Sequence, residues 1–250
     1  MSSEAARFFG ERVEWYDSGY DRLSSNGHAA RARLQATVEL VGPGPGSLLD
    51  AGMGPGRLVA ELAGRGWLVS GIDAAEEMVE AARARLPEAA DRLLLGAIES
   101  LPFGDATFDT VTATGVLEYS NVPRALAELD RVLRPGGRAV VSYPNPHAFY
   151  AIWKGQVYYR LVRAVKRAVR MGDSNRPRGA GSIPPDRFRR LLADAGLAPF
   201  TTRFSSFLAV PSPLDTALGR TSARVGRALE GRAPSWLATQ VLYCARKPSG

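Results

Sequence analysis

Apolar residues along this chain gather into short runs, separated by glycine, proline and charge, with helical spacing in between. The runs are Ser47–Asp50, Leu68–Asp73, Arg92–Gly96, Phe108–Ala113 and Arg138–Tyr143. Each is brief and mostly aliphatic, as expected of a strand buried on both faces. Between them, Leu58–Ala63, Ala75–Leu86 and Pro123–Leu133 repeat apolar residues at helical spacing. Pro87 stops the second of these helices, and Pro135-Gly136-Gly137 stops the third. Strands alternating with helices predict a parallel sheet with helices on both faces.

The flanks follow other patterns. Residues 5–40 read as helical, with Phe8, Phe9, Trp15, Tyr16 and Tyr20 placed ahead of Leu34, Val38 and Leu40. Gly42-Pro43-Gly44-Pro45-Gly46 is a stiff break before the first strand. After the fifth strand comes a proline-rich turn, Tyr143-Pro144-Asn145-Pro146-His147, then an amphipathic helix or helix pair over 148–170. A loop over 172–186 leads to a helix over 186–195 closed by Gly196. A last strand pair, about 200–209 and 239–246, encloses a stretch punctuated by proline and glycine. No internal repeat is present.

Composition narrows this picture. A chain of 250 residues buries a core as one large domain, or as a core domain with an insertion. No run of about 18 apolar residues occurs, so no spanning helix is expected. Glu4 and Glu11 interrupt any basic-then-apolar leader. The single cysteine, Cys244, excludes a disulfide framework, suits a reducing cytoplasm and is expected in a buried strand. Charge is uneven: residues 1–125 carry a net of −7 and residues 126–250 a net of +14. That asymmetry fits nucleic acid, a membrane surface or an anionic substrate. It equally fits an arginine-rich proteome, since only Lys154, Lys166 and Lys247 are lysines.

The densest chemistry lies in Leu48-Leu49-Asp50-Ala51-Gly52-Met53-Gly54-Pro55-Gly56-Arg57-Leu58, with Ile72-Asp73 ending the next strand. This strand–glycine turn–helix–strand–acid order is that of a nucleotide-binding unit. Glycines lack Cβ atoms, so backbone amides at a helix start can approach a ligand. An acid ending the second strand suits a ribose diol. Asp50, two residues before Gly52, sharpens the reading. With it the chain resembles the class I S-adenosylmethionine-dependent methyltransferases, whose first motif is acidic-x-Gly-x-Gly-x-Gly. Gly71-Ile72-Asp73 followed by Met78 is similar to their second motif. Leu101-Pro102-Phe103-Gly104-Asp105-Ala106-Thr107-Phe108-Asp109 is similar to the turn into their fourth strand. Leu117-Glu118-Tyr119 and Leu133-Arg134-Pro135-Gly136-Gly137 are similar to the segments before their fifth. The resemblance covers roughly residues 46–145.

The resemblance implies a doubly wound, mostly parallel seven-stranded sheet (the Rossmann-like methyltransferase fold), finished by a strand pair with one strand antiparallel. It divides the chain into an N-terminal helical lid over 1–45, a cofactor-binding core over 46–145, a helical cap for the acceptor over 146–198, and strands over 199–250 completing the sheet. It implies S-adenosyl-L-methionine as cofactor, held by Asp50, Gly52, Gly54, Gly56 and Asp73, with Thr114 at the end of the fourth strand. Tyr16 and Tyr20 resemble tyrosines with which relatives close over the cofactor; core packing is the other reading. Relatives often carry an acidic Gly-Asp-Ala-Glu segment for the adenine amine. Here it reads Gly96-Ala97-Ile98-Glu99, leaving Ala97 and Ile98 as weaker contacts. No metal is expected.

The sulfonium cofactor supplies the reactive methyl group, so the protein must align an acceptor, exclude water and in some cases remove a proton. His147 follows the fifth strand in a turn facing the expected acceptor cavity, and its ordinary pKa of about 6.5 suits a general base. His28 is expected on the surface. Members of the family place Glu118 and Tyr119 near the transfer centre; these two and Tyr143 are candidates for orienting a hydroxyl.

Over 157–170, Val157, Tyr158, Leu161, Val162, Val165 and Val169 form an apolar stripe, opposite Arg160, Arg163, Lys166, Arg167 and Arg170. This basic amphipathic helix over 150–170 reads as a cap over the acceptor, or as a peripheral membrane contact. No RNA-binding module or stacking platform is present, so nucleic acid is not an expected partner. Three functions stay open: O-methylation of a hydroxyl on a specialised metabolite, methylation of a lipid or prenylated quinone precursor at a membrane, and cofactor binding without transfer. Monomer and homodimer are both open, and a cytoplasmic location is expected.

Overall fold

The computed structural model describes residues 3–153, 183–207 and 218–249. Three helices come first: α1 Ser3–Gly10, α2 Val13–Gly19 and α3 Ser25–Val41. The core follows as β1 Gly46–Ala51, α4 Arg57–Ala63, β2 Trp67–Asp73, α5 Glu76–Arg85, β3 Leu93–Leu95, β4 Phe108–Ala113, α6 Val122–Val132 and β5 Leu133–Pro144. A short α7 Phe149–Trp153, then α8 Pro185–Asp194, β6 Ala198–Phe207, α9 Gly219–Leu229 and β7 Ala238–Arg246 complete the order.

One seven-stranded sheet runs β3-β2-β1-β4-β5-β7-β6. All neighbouring pairs through β5 are parallel, whereas β7 runs antiparallel to both β5 and β6. Successive side chains on a strand point to opposite faces, and the cores obey that alternation. Leu49, Val141 and Tyr243 pack with α6 and α8 through Leu126, Leu129, Phe188 and Leu192. Leu48, Val140 and Cys244 pack on the other face with Val38, Val41, Leu58, Leu62, Val79 and Ala82 of α3, α4 and α5. Cys244 is thus a buried strand residue, as expected.

Local signals set several ends. The Ser24 hydroxyl accepts from Gly27 N at 3.2 Å and the Asn121 side chain from Arg124 N at 3.2 Å, capping α3 and α6. Such caps contribute about 1 kcal/mol each. Helix α9 was not anticipated, since its stretch reads as glycine- and proline-punctuated. Of the amphipathic segment expected over 148–170, only α7 falls among the described residues; the basic stripe over 157–170 lies outside them. No helix among the described residues is long and apolar enough to cross a membrane.

Candidate functional site

The strand order reverses between β1 and β4, and the loops leaving their carboxyl ends form a cleft there, where ligands sit in open α/β sheets. Gly52 opens the β1 loop with φ +84°, and a Cβ there would come within 2.6 Å of Val116. Any side chain at 52 is therefore both strained and in collision. Gly54, at φ +53°, would meet only Tyr16, at 3.8 Å. Its backbone is open to the cleft. Gly56 begins α4 and packs against Ala82, so it serves helix packing and lines none of the hollows described here.

Two buried carboxylates face the cleft. Asp50 is 2% exposed and accepts a 2.7 Å hydrogen bond from Thr112 Oγ1, its neighbour across the β1–β4 ladder. Burial pushes its pKa up from 3.8 to about 7, helped by Asp73 and opposed by Thr112 and Arg33. Asp73 ends β2. Its Oδ2 accepts from Gly54 N at 2.9 Å and its Oδ1 from Ala75 N at 3.0 Å. Burial raises its pKa as well, against these amide bonds.

Tyr16 from α2 divides this region. It borders a small hollow beside Asp50, Gly52 and Thr114, a second beside Asp73, Met78 and Val116, and a cavity of about 640 Å³ beyond. Phe9, Tyr16, Tyr20, Glu118, Tyr119 and Tyr150 line that cavity, with Ser206, Thr239 and Gln240 on its far wall. Its rings pack edge to face, Phe9 at 5.2 Å from Tyr119 and 5.7 Å from Tyr16. Helix α2 and the turn after it are held by charge. Arg57 bonds Asp17 at 2.6 Å and Asp21 at 2.7 Å, and Arg85 bonds Asp17 at 2.8 Å. Partial burial works against ionising Asp17, yet the two arginines hold its carboxyl below the usual range.

Of the residues expected at the site, Tyr16, Tyr20, Asp50, Gly52, Gly54, Asp73, Thr114, Glu118 and Tyr119 come together. Ala97 and Ile98 do not line these hollows; Ile98 is a core residue with Ile72 and Leu101. His147 is exposed and absent from the cavity wall, which removes the geometric reason for taking it as a base. The turn is instead fixed by Asn145, whose Nδ2 donates to Ser235 O and Ala238 O. Tyr143 is buried against Phe188 and does not line the cavity, although Glu118, which does, lies near enough to help burial raise its pKa. His28 is not a surface residue either: it is 5% exposed, with Nε2 3.6 Å from Glu230 Oε2.

One residue went unread in the sequence. Arg33 on α3 lines both the Asp50 hollow and the large cavity, with its guanidinium against Gly115. Burial disfavours its charge, but Tyr20, Tyr16 and Glu118 more than compensate and raise its pKa. The signal was an arginine at i−4 and i−8 from the buried Thr37 and Val41 on one helix stripe.

A family model described as a methyltransferase domain matches residues 49–141. The chain is 34% identical over 204 residues to the demethylmenaquinone methyltransferase of Thermus thermophilus, covering 76% of this chain and 91% of that protein. It is 42% identical over 132 residues to the malonyl-[acyl-carrier protein] O-methyltransferase of Serratia marcescens, covering 50% of this chain and 51% of that protein. Against several curated relatives, the Serratia protein among them, the chain spans about half their length or less. A Thermotoga maritima crystal structure, described as a SAM-dependent methyltransferase and possible histamine N-methyltransferase, shares the fold at a TM-score of 0.64 and 21% identity, covering 97% of this chain and 99% of that one. The chain belongs to the class I S-adenosylmethionine-dependent methyltransferases.

Proposed function

We propose that the chain transfers the methyl group of S-adenosylmethionine to a small-molecule acceptor bound in the 640 Å³ cavity, a hydroxyl being the favoured target. One observation carries this reading: the glycine-loop cleft and the cavity meet at Tyr16, Gly115 and Tyr119, so a donor and an acceptor can be brought face to face. The cofactor supplies an electrophilic methyl on sulfur. The remaining work falls to this chain's residues. Asp73 accepts from the ribose hydroxyls, Gly52 and Gly54 admit the backbone, and Asp50 offers negative charge to a cationic ligand. Glu118 and Tyr119 orient the acceptor. Incubation with cofactor and a panel of hydroxylated aromatic compounds, followed by demethylated cofactor, tests the proposal. Tight cofactor binding with no turnover on any acceptor class would favour binding without transfer.

A membrane-borne acceptor, such as a prenylated quinone precursor, is the second reading. It is supported by the long match to the Thermus protein, whose name places it on demethylmenaquinone. Turnover on a prenylated acceptor but not on soluble phenols would favour it.

Asp50 gives a pH prediction. An acid whose pKa is raised on folding stabilises the folded chain only while protonated, so this contribution falls as pH climbs from 3.8 towards about 7. A bound cation reverses the preference. Cofactor affinity should therefore rise by up to about tenfold per pH unit below pH 7 and level off above it. Calorimetry in buffers of different ionisation enthalpy should show proton release at pH 6. A flat affinity from pH 5 to 8 would remove Asp50 from the ligand's charge environment.

Arg33 gives another. We assign it to the carboxylate at the cofactor's amino-acid end. Arg33→Met should then weaken S-adenosylmethionine and its demethylated product alike, by about tenfold to a hundredfold, the range of a charged hydrogen bond worth about 1.5–3 kcal/mol. Adenosine, which lacks the carboxylate, should bind both proteins equally. An equal loss for adenosine would contradict the assignment.

A further inference from the structure

The mouth of the large cavity carries Trp15, Arg22 and Leu23, with Trp15 49% and Leu23 52% exposed. Large apolar side chains left open around a site mark a contact surface. The patch extends onto α9: the backbone of Leu23 lies against Gly219, beside Leu218, itself 48% exposed. Arg220, Arg224 and Arg227 then follow at successive turns of α9, all exposed on one face. Arg31 donates to the carbonyls of Tyr20 and Arg22, fixing the loop that presents Leu23. It lies near enough to Arg227 for their like charges to repel.

Among the described residues, the carboxylates nearby do not neutralise this cluster. Asp21 is held by Arg57, and Glu230 by His28 and Ser205. Glu14, exposed on α2 beside Trp15, is a single opposing charge. Half-exposed tryptophan and leucine interleaved with arginine suit the boundary between headgroups and acyl chains. A protein partner would bury the same side chains; the bilayer is favoured because the rim surrounds the mouth of the cavity, whose acceptor on the second reading comes from a membrane.

We propose that this rim, Trp15, Leu23 and Leu218 with Arg22, Arg220, Arg224 and Arg227, docks on an anionic lipid bilayer. The cavity mouth then faces the headgroups, and an acceptor enters from the membrane. The proposal rests on the second reading above for the source of the acceptor, not for which atom is methylated. Each arginine near an anionic bilayer strengthens binding about fivefold, so three together contribute about a hundredfold.

The test is co-sedimentation of the full chain with vesicles of phosphatidylcholine alone and of phosphatidylcholine with phosphatidylglycerol, at low and high salt. Binding to the anionic vesicles alone, falling steeply with salt, is expected. The combined variant Arg220→Ser, Arg224→Ser, Arg227→Ser should bind about a hundredfold more weakly. These residues lie outside the cavity wall, so its cofactor affinity should match the parent's. Equal binding to both vesicle types, no binding to either, an unchanged variant, or capture of an acidic protein in place of vesicles would overturn the proposal. Should the variant fail to fold, the salt series on the parent chain decides. Cofactor titration of the same samples separates the two failures. A parent chain that binds the cofactor but no vesicles sinks the surface alone; a parent chain that binds no cofactor sinks the functional reading.

Discussion

Asp73→Ala is expected to weaken S-adenosylmethionine binding by about a hundredfold or more. The side chain ends β2 at 7% exposure, with one backbone amide already on each oxygen. Each oxygen keeps further acceptor capacity beside the hollow that Asp73 lines. Two hydrogen bonds from a ribose diol to a carboxylate are worth about 1.5–3 kcal/mol each, so losing both exceeds about 3 kcal/mol. Gly54 N and Ala75 N also lose their acceptor, which loosens the loop. S-adenosylmethionine, its demethylated product and adenosine all carry the ribose, so all three should weaken together. That pattern differs from Arg33→Met, which should spare adenosine. Calorimetric titration of folded variant and parent measures both, and unchanged affinity in the Asp73 variant would refute the ribose assignment.

Phe188→Ala is expected to destabilise the chain by about 3–5 kcal/mol, the usual range for removing a buried phenylalanine. Its ring is fully buried between Tyr143, at 4.9 Å, and Tyr243, at 4.8 Å. It thus joins α8 to β5 and β7, and deletion leaves a hole between the two tyrosine rings. In a domain of this size each kcal/mol moves the melting temperature by about 2–4 °C, so a fall of roughly 10 °C should appear in a thermal melt. A fall of less than about 2 °C would mean that the site collapses or that α8 packs more weakly than its burial implies.

The strands from β1 to β5 were legible because a sheet covered on both faces needs continuous apolar runs, and only such runs satisfy Leu48 and Leu49 on opposite sides. The glycine loop was legible because positive φ and a crowded Cβ position leave little choice of residue at 52. Helix α9 was hidden by its own packing. Gly226, which reads as a breaker, is small so that His28 can approach; a Cβ there would lie 2.3 Å from the imidazole. For the same reason His28 passed for a surface residue, since its partners Gly226 and Glu230 lie some two hundred positions downstream.

Polar site residues were the harder part. Asp50 and Asp73 are fixed by strand ends, which the pattern reveals. Arg33 acts from a helix face whose partner, the Gly115 loop, is known only once α3 is placed against the sheet. His147 is the converse case: its place after β5 suggested a base, but the turn directs Asn145 inward and leaves the histidine exposed, outside the cavity wall.

Side-by-side calorimetric titration of the purified chain with S-adenosylmethionine, its demethylated product and NAD addresses the cleft at the β1–β4 switch point most directly. Saturable binding of both sulfur nucleosides, with NAD bound far more weakly, is the result expected from Asp50, Asp73 and Arg33 as placed. Binding of neither sulfur nucleoside, or of NAD equally well, would contradict it.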